Sequence, residues 1–269
     1  MTSDRVFSGS IPALYDQYLV PLIFEACAED LAGRVAAKAP VRVLETAAGT
    51  GALTRALALR LPPDIRLVAT DLNQPMLDYA AAKQVGDQRI VWQQADALDL
   101  PFDDHGFDAV VCQFGVMFFP DRVAGYREAR RVLAPGGHFL FNVWDRIEEN
   151  AFAHAVTEAL SGLYREDPPL FLARTPHGHH DASRICAELA SAGFADIAVE
   201  TFVRTSRGRS AREVAVAYCQ GTPLRNEIEA RRPDGLEAAT EHAAKALAAR
   251  FGDGPIEGQI KGHLLVATS

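Results

Sequence analysis

The residues best suited to chemistry in this sequence sit where short apolar runs end. Glu45-Thr46-Ala47-Ala48-Gly49-Thr50-Gly51 follows the run Val41–Leu44 and precedes a stretch with helical spacing. Small residues at such a turn let backbone N–H groups approach a ligand without side-chain clash, and the helix beyond presents its positive end. Turns of this kind also serve nicotinamide and flavin cofactors, and some are only tight turns. Asp71 closes a second run, about twenty residues further on, where a carboxylate can accept hydrogen bonds from both hydroxyls of a ribose. Leu72 and Met76 follow it and are placed to pack near an adenine. Asp96 and Ala97 follow a third run, the carboxylate suited to an exocyclic amine and the Ala97 N–H to a ring nitrogen. Gln113 ends a fourth run at the same rim, within reach of a ligand or its reaction partner. Each has a purely structural alternative: a helix cap for Asp71, a turn for Asp96, a solvent-facing strand end for Gln113.

The elements that must hold these residues alternate. Val41–Leu44, 66–70, 89–93, 107–114 and 138–143 read as strands, and 52–61, 75–83 and 122–133 as helices between them. Such alternation predicts a doubly wound α/β sheet, mostly parallel, with ligands at the carboxyl ends of its strands. Upstream, residues 11–38 carry Leu14, Tyr18, Leu22, Phe24, Leu31 and Val35 at mostly helical spacing, with Pro21 expected to break or kink the helix. After Trp144 the reading is a helix over 151–164, a loop over 167–180 and a helix over 181–192. A strand follows over 197–205, then a mostly helical stretch over 211–251 and a last strand over 259–267. That helical stretch is long for a simple crossover and reads as a cap over the sheet.

Composition bounds the rest. The chain has 269 residues, 48% hydrophobic and 23% charged, enough for one large domain with an added cap. A net charge of −8 argues against a nucleic-acid partner. Cys27, Cys112, Cys186 and Cys219 show no C-x-x-C spacing. Such scattered thiols, with a polar start over Met1–Ser10 and no apolar run long enough to span a bilayer, place the protein in the cytoplasm. His177-Gly-His179-His180-Asp181 resembles a metal cluster, yet one short loop rarely presents three histidines to one ion, and Asp181 also reads as a helix N-cap. No metal is assigned; the loop is an alternative wall for an acceptor pocket. Arg204, Arg207, Arg209 and Arg212 read as a solvated strand end.

In order and spacing, Val41–Val143, about two-fifths of the chain, resembles the class I S-adenosylmethionine-dependent methyltransferases. Within them it looks most like the small-molecule branch that includes ubiquinone and menaquinone biosynthesis enzymes. Glu45 takes the acidic place of the first motif, and Ala47, Gly49 and Gly51 take its glycine places, Ala47 being a departure. Asp71 matches the ribose-binding acid, and Asp96 with Ala97 the adenine-binding pair. Phe107-Asp108 and the strand after them match the fourth motif, and Arg130 to His138 the turn before strand five. The resemblance implies a Rossmann-like seven-stranded sheet with an antiparallel last strand. It also implies an N-terminal helical lid (1–38) on a methyltransferase domain (39–269) with a cap insertion at about 211–252. Tyr15 and Tyr18 would lie on the lid, either hydroxyl within reach of the methionine part of the cofactor, and Tyr18 is taken with Glu45, Thr46, Ala47, Gly49, Gly51, Asp71, Leu72, Met76, Asp96, Ala97 and Gln113 as cofactor-binding.

The implied reaction is in-line transfer of a methyl group from S-adenosyl-L-methionine to a small, partly apolar organic acceptor, leaving S-adenosyl-L-homocysteine. No catalytic base is assigned, His177, His179 and His180 being candidates near the rim. Two other readings stand beside it: a non-catalytic S-adenosylmethionine-binding protein, and a nicotinamide-dependent oxidoreductase, which would normally show G-x-G-x-x-G where this chain has Ala47-Ala-Gly49-Thr-Gly51-Ala.

Overall fold

The computed structural model describes residues 3–269; Met1 and Thr2, part of the polar start, lie outside the described residues. The apolar runs pair into one sheet of β1 (Arg42–Glu45), β2 (Arg66–Asp71), β3 (Ile90–Gln94), β4 (Phe107–Gln113), β5 (Leu133–Trp144), β6 (Asp196–Gly208) and β7 (Ile256–Thr268). Their order is β3-β2-β1-β4-β5-β7-β6. β1 to β5 pair in parallel, whereas β7 runs antiparallel to both β5 and β6. This is the mostly parallel, Rossmann-like sheet with a reversed last strand that the alternation and the resemblance imply.

The central strands are apolar on both faces because both are covered. In β4, Ala109 and Val111 join Leu31, Val35, Leu53 and Leu57 on one face, while Val110 and Cys112 join Tyr126, Phe139 and Phe141 on the other. Alternation with period two therefore splits one apolar run between two cores. What remains at the carboxyl ends of β1, β2 and β4 is Glu45, Asp71 and Gln113, so polar chemistry collects along one rim.

The expectation that Pro21 interrupts the first helix needs correction. Residues 11–36 are helical throughout: α1 (Ile11–Leu14), a π-helical segment (Tyr15–Phe24) that contains Pro21, and α2 (Glu25–Ala36). Glu25 N–H donates to the Val20 carbonyl, five residues back. In an α-helix a proline ring collides with the carbonyl four residues earlier. The wider turn relieves that approach and lets the helix pass through.

α3 (Ala52–Arg60), α4 (Gln74–Lys83) and α5 (Arg122–Val132) fill the crossovers. α6 (Ala151–Leu163) is followed by a segment expected to be loop, which instead contains the short α7 (Phe171–Arg174). Its Phe171 and Leu172 are buried, so tertiary packing holds a turn that too few residues support by themselves. α8 (Ala182–Ser191) starts on Asp181, whose carboxylate accepts from the N–H groups of Ser183 and Arg184, so that residue caps a helix. α9 (Ala211–Gln220), α10 (Leu224–Arg231) and α11 (Leu236–Phe251) follow β6. α9 packs on α11 and on the π-helical segment, and α11 packs on α6. The basic stretch of β6 and α9 is spent in ion pairs: Arg204 with Asp30, Arg207 with Glu257, Arg209 with Glu213 and Arg212 with Glu241. Among the described residues no helix is long and apolar enough to cross a membrane.

Candidate functional site

The turn after β1 is built to expose backbone. Ala47, Gly49 and Gly51 all have left-handed φ, of 53°, 57° and 80°. Glycine adopts this region at no steric cost, so the two glycines are explained by the fold, and Ala47 occupies a glycine-type conformation with a methyl group. Gly49 N–H donates to Asp71 Oδ2 at 2.8 Å, and Asn73 N–H donates to Asp71 Oδ1 at 2.8 Å. These bonds fix the carboxylate plane and leave lone pairs over for a ligand. A Cβ at Gly49 would stand 3.6 Å from the Met76 methyl, filling the space between loop and α4.

Around this turn the structure gathers most of the residues singled out from sequence. Ala47, Gly49, Asp71, Leu72, Met76, Asp96, Ala97 and Gln113 line one cleft of about 730 Å³ at the carboxyl rim of the sheet. Glu45, Thr46, Gly51 and Tyr18 do not line it. Glu45 is buried beneath the turn, accepting from the Thr54 hydroxyl at 2.7 Å. Thr46 N–H donates to the Val111 carbonyl at 2.9 Å, tying the turn to β4. At Gly51, an added Cβ would meet Ala80 at 3.1 Å and Trp92 at 3.2 Å, so its contribution is close packing of α3 against its neighbours. Tyr15 and Tyr18 both pack against the same core cluster, but of the two only Tyr15 lines the cleft.

A second chamber of about 600 Å³ adjoins the first, sharing Phe7, Tyr15, Phe114 and Phe118 as a common wall. Its other lining residues include Leu19, Phe24, Trp144, Phe171, His177 and Tyr218. The aromatic rings support one another: Phe114 stacks on Trp144 with centroids 3.7 Å apart, and Tyr15 stacks on Phe24 at 5.1 Å. Phe114 reaches this place through a left-handed backbone with φ 50°. Among the described residues, no Asp, Glu, Lys or Arg lines this chamber. Of these residues, Tyr15 and His177 were singled out from sequence, whereas Phe7, Phe114, Phe118, Phe171 and Tyr218 were not. Tyr15, Leu19 and Phe24 meet on one wall because the π-helical register departs from the ordinary helical repeat, which sequence periodicity assumes.

Burial dominates the protonation of the site. It pushes Glu45 up to about 8, against the opposing Thr54 hydrogen bond and the Arg55 charge. It also raises Asp71, while the N–H groups of Asn73 and Gly49 pull the other way. The Tyr15 phenol is raised by burial and by the nearby Asp71 and Asp16 carboxylates. His177 is held down to about 4, chiefly by burial. The π-helical segment is tied to α3 and α4 by Asp16, which is buried and pairs with Arg55 at 2.9 Å and with Lys83.

The three histidines of the 177–181 loop point to separate tasks. His177 lines the second chamber. His179 is buried against the Tyr126 hydroxyl at 3.1 Å, and His180 Nδ1 bonds the His177 carbonyl at 2.9 Å. Neither of these two lines a chamber, so only His177 stands at the rim position expected of all three.

Comparisons with known proteins fall on the same rim. Residues 44–141 match the family model described as a methyltransferase domain. The chain is 42% identical over 106 residues to a demethylmenaquinone methyltransferase of Clavibacter sepedonicus, covering 39% of this chain and 42% of that protein. It is 27% identical over 202 residues to a ubiquinone/menaquinone biosynthesis C-methyltransferase of Saccharophagus degradans, covering 71% and 76%. The chain's matches span less than half the length of the first of these curated relatives. Among solved structures, a Haemonchus contortus phosphoethanolamine N-methyltransferase 2, in complex with phosphomonomethylethanolamine and S-adenosylhomocysteine, superposes with a TM-score of 0.62. The identity there is 17%, with 99% of this chain and 59% of that chain covered, a likeness of fold.

Proposed function

We propose that this protein, built around a methyltransferase-family domain at residues 44–141, transfers a methyl group from S-adenosyl-L-methionine to a small, neutral, largely apolar organic acceptor. The observation that carries this reading is the pair of chambers with a shared wall. The first supplies what an adenosyl group requires: a cradle of exposed backbone at Gly49, an oriented carboxylate at Asp71 for ribose hydroxyls, and Met76 and Leu72 as apolar cover. Asp96 and Ala97 stand at the same rim to meet a base edge. The second chamber, aromatic and free of charged lining residues among those described, suits an acceptor without formal charge. It would serve a quinone-type compound of the kind named for the relatives better than a phosphorylated amine.

A sulfonium methyl donor arrives already activated, so alignment and exclusion of water can supply much of the rate. This chain's part is to hold both reactants across the Tyr15–Phe114 wall and to cover them. Residues 11–36 would act as the lid and α9 to α11 as the cap, since α9 packs directly on the π-helical segment. Asp16 would hold the lid down through Arg55 and Lys83. The four cysteines are free thiols, which fits a reducing compartment such as the cytoplasm.

Calorimetric titration with S-adenosylhomocysteine tests the cofactor. Binding in the micromolar range or tighter is expected. A folded protein that ignores this ligand would end the proposal. Transfer of labelled methyl to uncharged aromatic acceptors, compared with phosphoethanolamine, tests the second chamber.

A further inference from the structure

We infer that His177 is the general base of this site: its Nε2 takes the proton of a phenol- or enol-type hydroxyl on a neutral, flat acceptor held in the aromatic chamber. This rests on the methyl-transfer reading above.

His177 Nδ1 lies 2.8 Å from the Asp145 carbonyl oxygen, which can only accept. The ring proton is therefore on Nδ1, and the Nε2 lone pair is bare. No hydrogen bond within the protein uses Nε2 among the described residues, and the ring lines the chamber. The other polar groups on that wall cannot take a proton. Asn150 gives its amide to the carbonyls of Asp145, Arg146 and Lys261 and accepts from Lys261 N–H. Thr222 donates to the Tyr218 carbonyl and accepts from Leu224 N–H. Tyr15 and Tyr218 keep their protons because burial raises both, so they can donate hydrogen bonds to an acceptor oxygen.

The groups around His177 leave its ring neutral. Burial is the largest influence and lowers it to about 4, the nearby His180 adding to this and the Asp145 carbonyl bond, Glu148 and the Asp145 carboxylate opposing it. The chamber it lines also carries the protonated Tyr15 and Tyr218 and, among the described residues, no Asp, Glu, Lys or Arg. A neutral imidazole is thus present across the physiological range.

In the step, the acceptor O–H proton passes to Nε2 as the methyl bond forms, so the ring gains a positive charge as the sulfonium loses its own, and the O–H bonding pair stays on oxygen. A pair from that oxygen, or from its conjugate carbon, bonds to the sulfonium methyl as the carbon–sulfur bond breaks, its pair remaining on sulfur. After attack from oxygen, the imidazolium returns its proton to water. After attack from carbon, the hydrogen on that carbon leaves to water and the imidazolium proton restores the hydroxyl. One proton is released in either case.

Two measurements decide. Long-range 1H–15N correlation spectra, with His177 assigned by its loss in His177→Gln, should show a neutral Nδ1–H ring from pH 5.5 to 8. An Nε2–H ring, or an imidazolium at pH 6.5, would overturn the assignment without any acceptor being needed. Labelled-methyl transfer to 1-naphthol should be nearly flat with pH over the same range in the wild type. In His177→Gln it should fall by about 100-fold or more at pH 7 and rise tenfold per pH unit. The deficit should shrink with 4-nitro-1-naphthol, which ionises unaided, while S-adenosylhomocysteine binds the variant as it binds the wild type. Equal rates in the two proteins, or cofactor binding with no transfer to any naphthol, would sink the inference alone. Absence of cofactor binding would sink the reading beneath it.

Discussion

Gln113 Nε2 donates to the backbone carbonyl of Phe24 at 2.9 Å, so the last residue of β4 is bonded to the end of the π-helical segment. The side chain is therefore a tie between the sheet and the N-terminal helical segment as well as part of the cleft wall. Gln113→Leu keeps much of the volume and removes the tie. We expect a loss of about 1–2 kcal/mol in unfolding free energy and faster proteolysis between residues 5 and 24. A variant cut there no faster than the wild type would show that the bond does not hold this segment to the sheet.

Asp71 accepts from Gly49 and Asn73 and still has lone pairs facing the cleft. In Asp71→Asn, an amide N–H must face either those backbone donors or the ribose. Affinity for S-adenosylhomocysteine should fall at least tenfold, about 1.4 kcal/mol or more. Affinity for a ligand confined to the second chamber should stay unchanged. Equal loss for both ligands would point to a collapsed site, not a lost ribose contact.

Ala47 pays a conformational cost that a glycine avoids, with φ 53°. Ala47→Gly should stabilise the protein by up to about 1 kcal/mol in urea unfolding. The reverse experiment is at Gly115, where an added Cβ would lie 2.5 Å from the Ala47 Cβ and 2.6 Å from Cys112 Sγ. Gly115→Ala should cost about 1–3 kcal/mol, and Ala47→Gly should recover part of that loss in the double variant. Strict additivity of the two changes would mean that the residues do not touch in solution.

Glu45 holds its proton more tightly folded than unfolded, since burial raises it from 4.5 to about 8. The folded state then binds more protons than the unfolded state between those values, so this group's contribution to stability declines as pH rises from about 4.5 to 8. Glu45→Gln should remove the decline. The difference in unfolding midpoint, variant minus wild type, should grow across that window and level off above it. A difference independent of pH would show that Glu45 ionises normally.

The fold was almost fully legible in the sequence because strand and helix periods are local properties. The runs ending at Glu45, Asp71, Gln94 and Gln113 are short, apolar and separated by helical spacing, and their order fixes where the polar ends converge. The first cleft was legible for the same reason: Gly49, Asp71 and Asp96 come from successive strand ends. The aromatic chamber was legible only in Tyr15 and His177. Phe7, Tyr15, Phe114, Phe171 and Tyr218 are far apart in sequence and meet only through tertiary packing. Which of Tyr15 and Tyr18 faces the cleft follows from a helical register that no composition rule announces, and the place of Phe114 from a backbone conformation unusual for its bulk.

The partition between the chambers is made of side chains that belong to both. Phe7, Tyr15, Phe114 and Phe118 line both compartments, and interiors are close-packed. A substitution at any one of these four rings therefore reshapes both compartments at once.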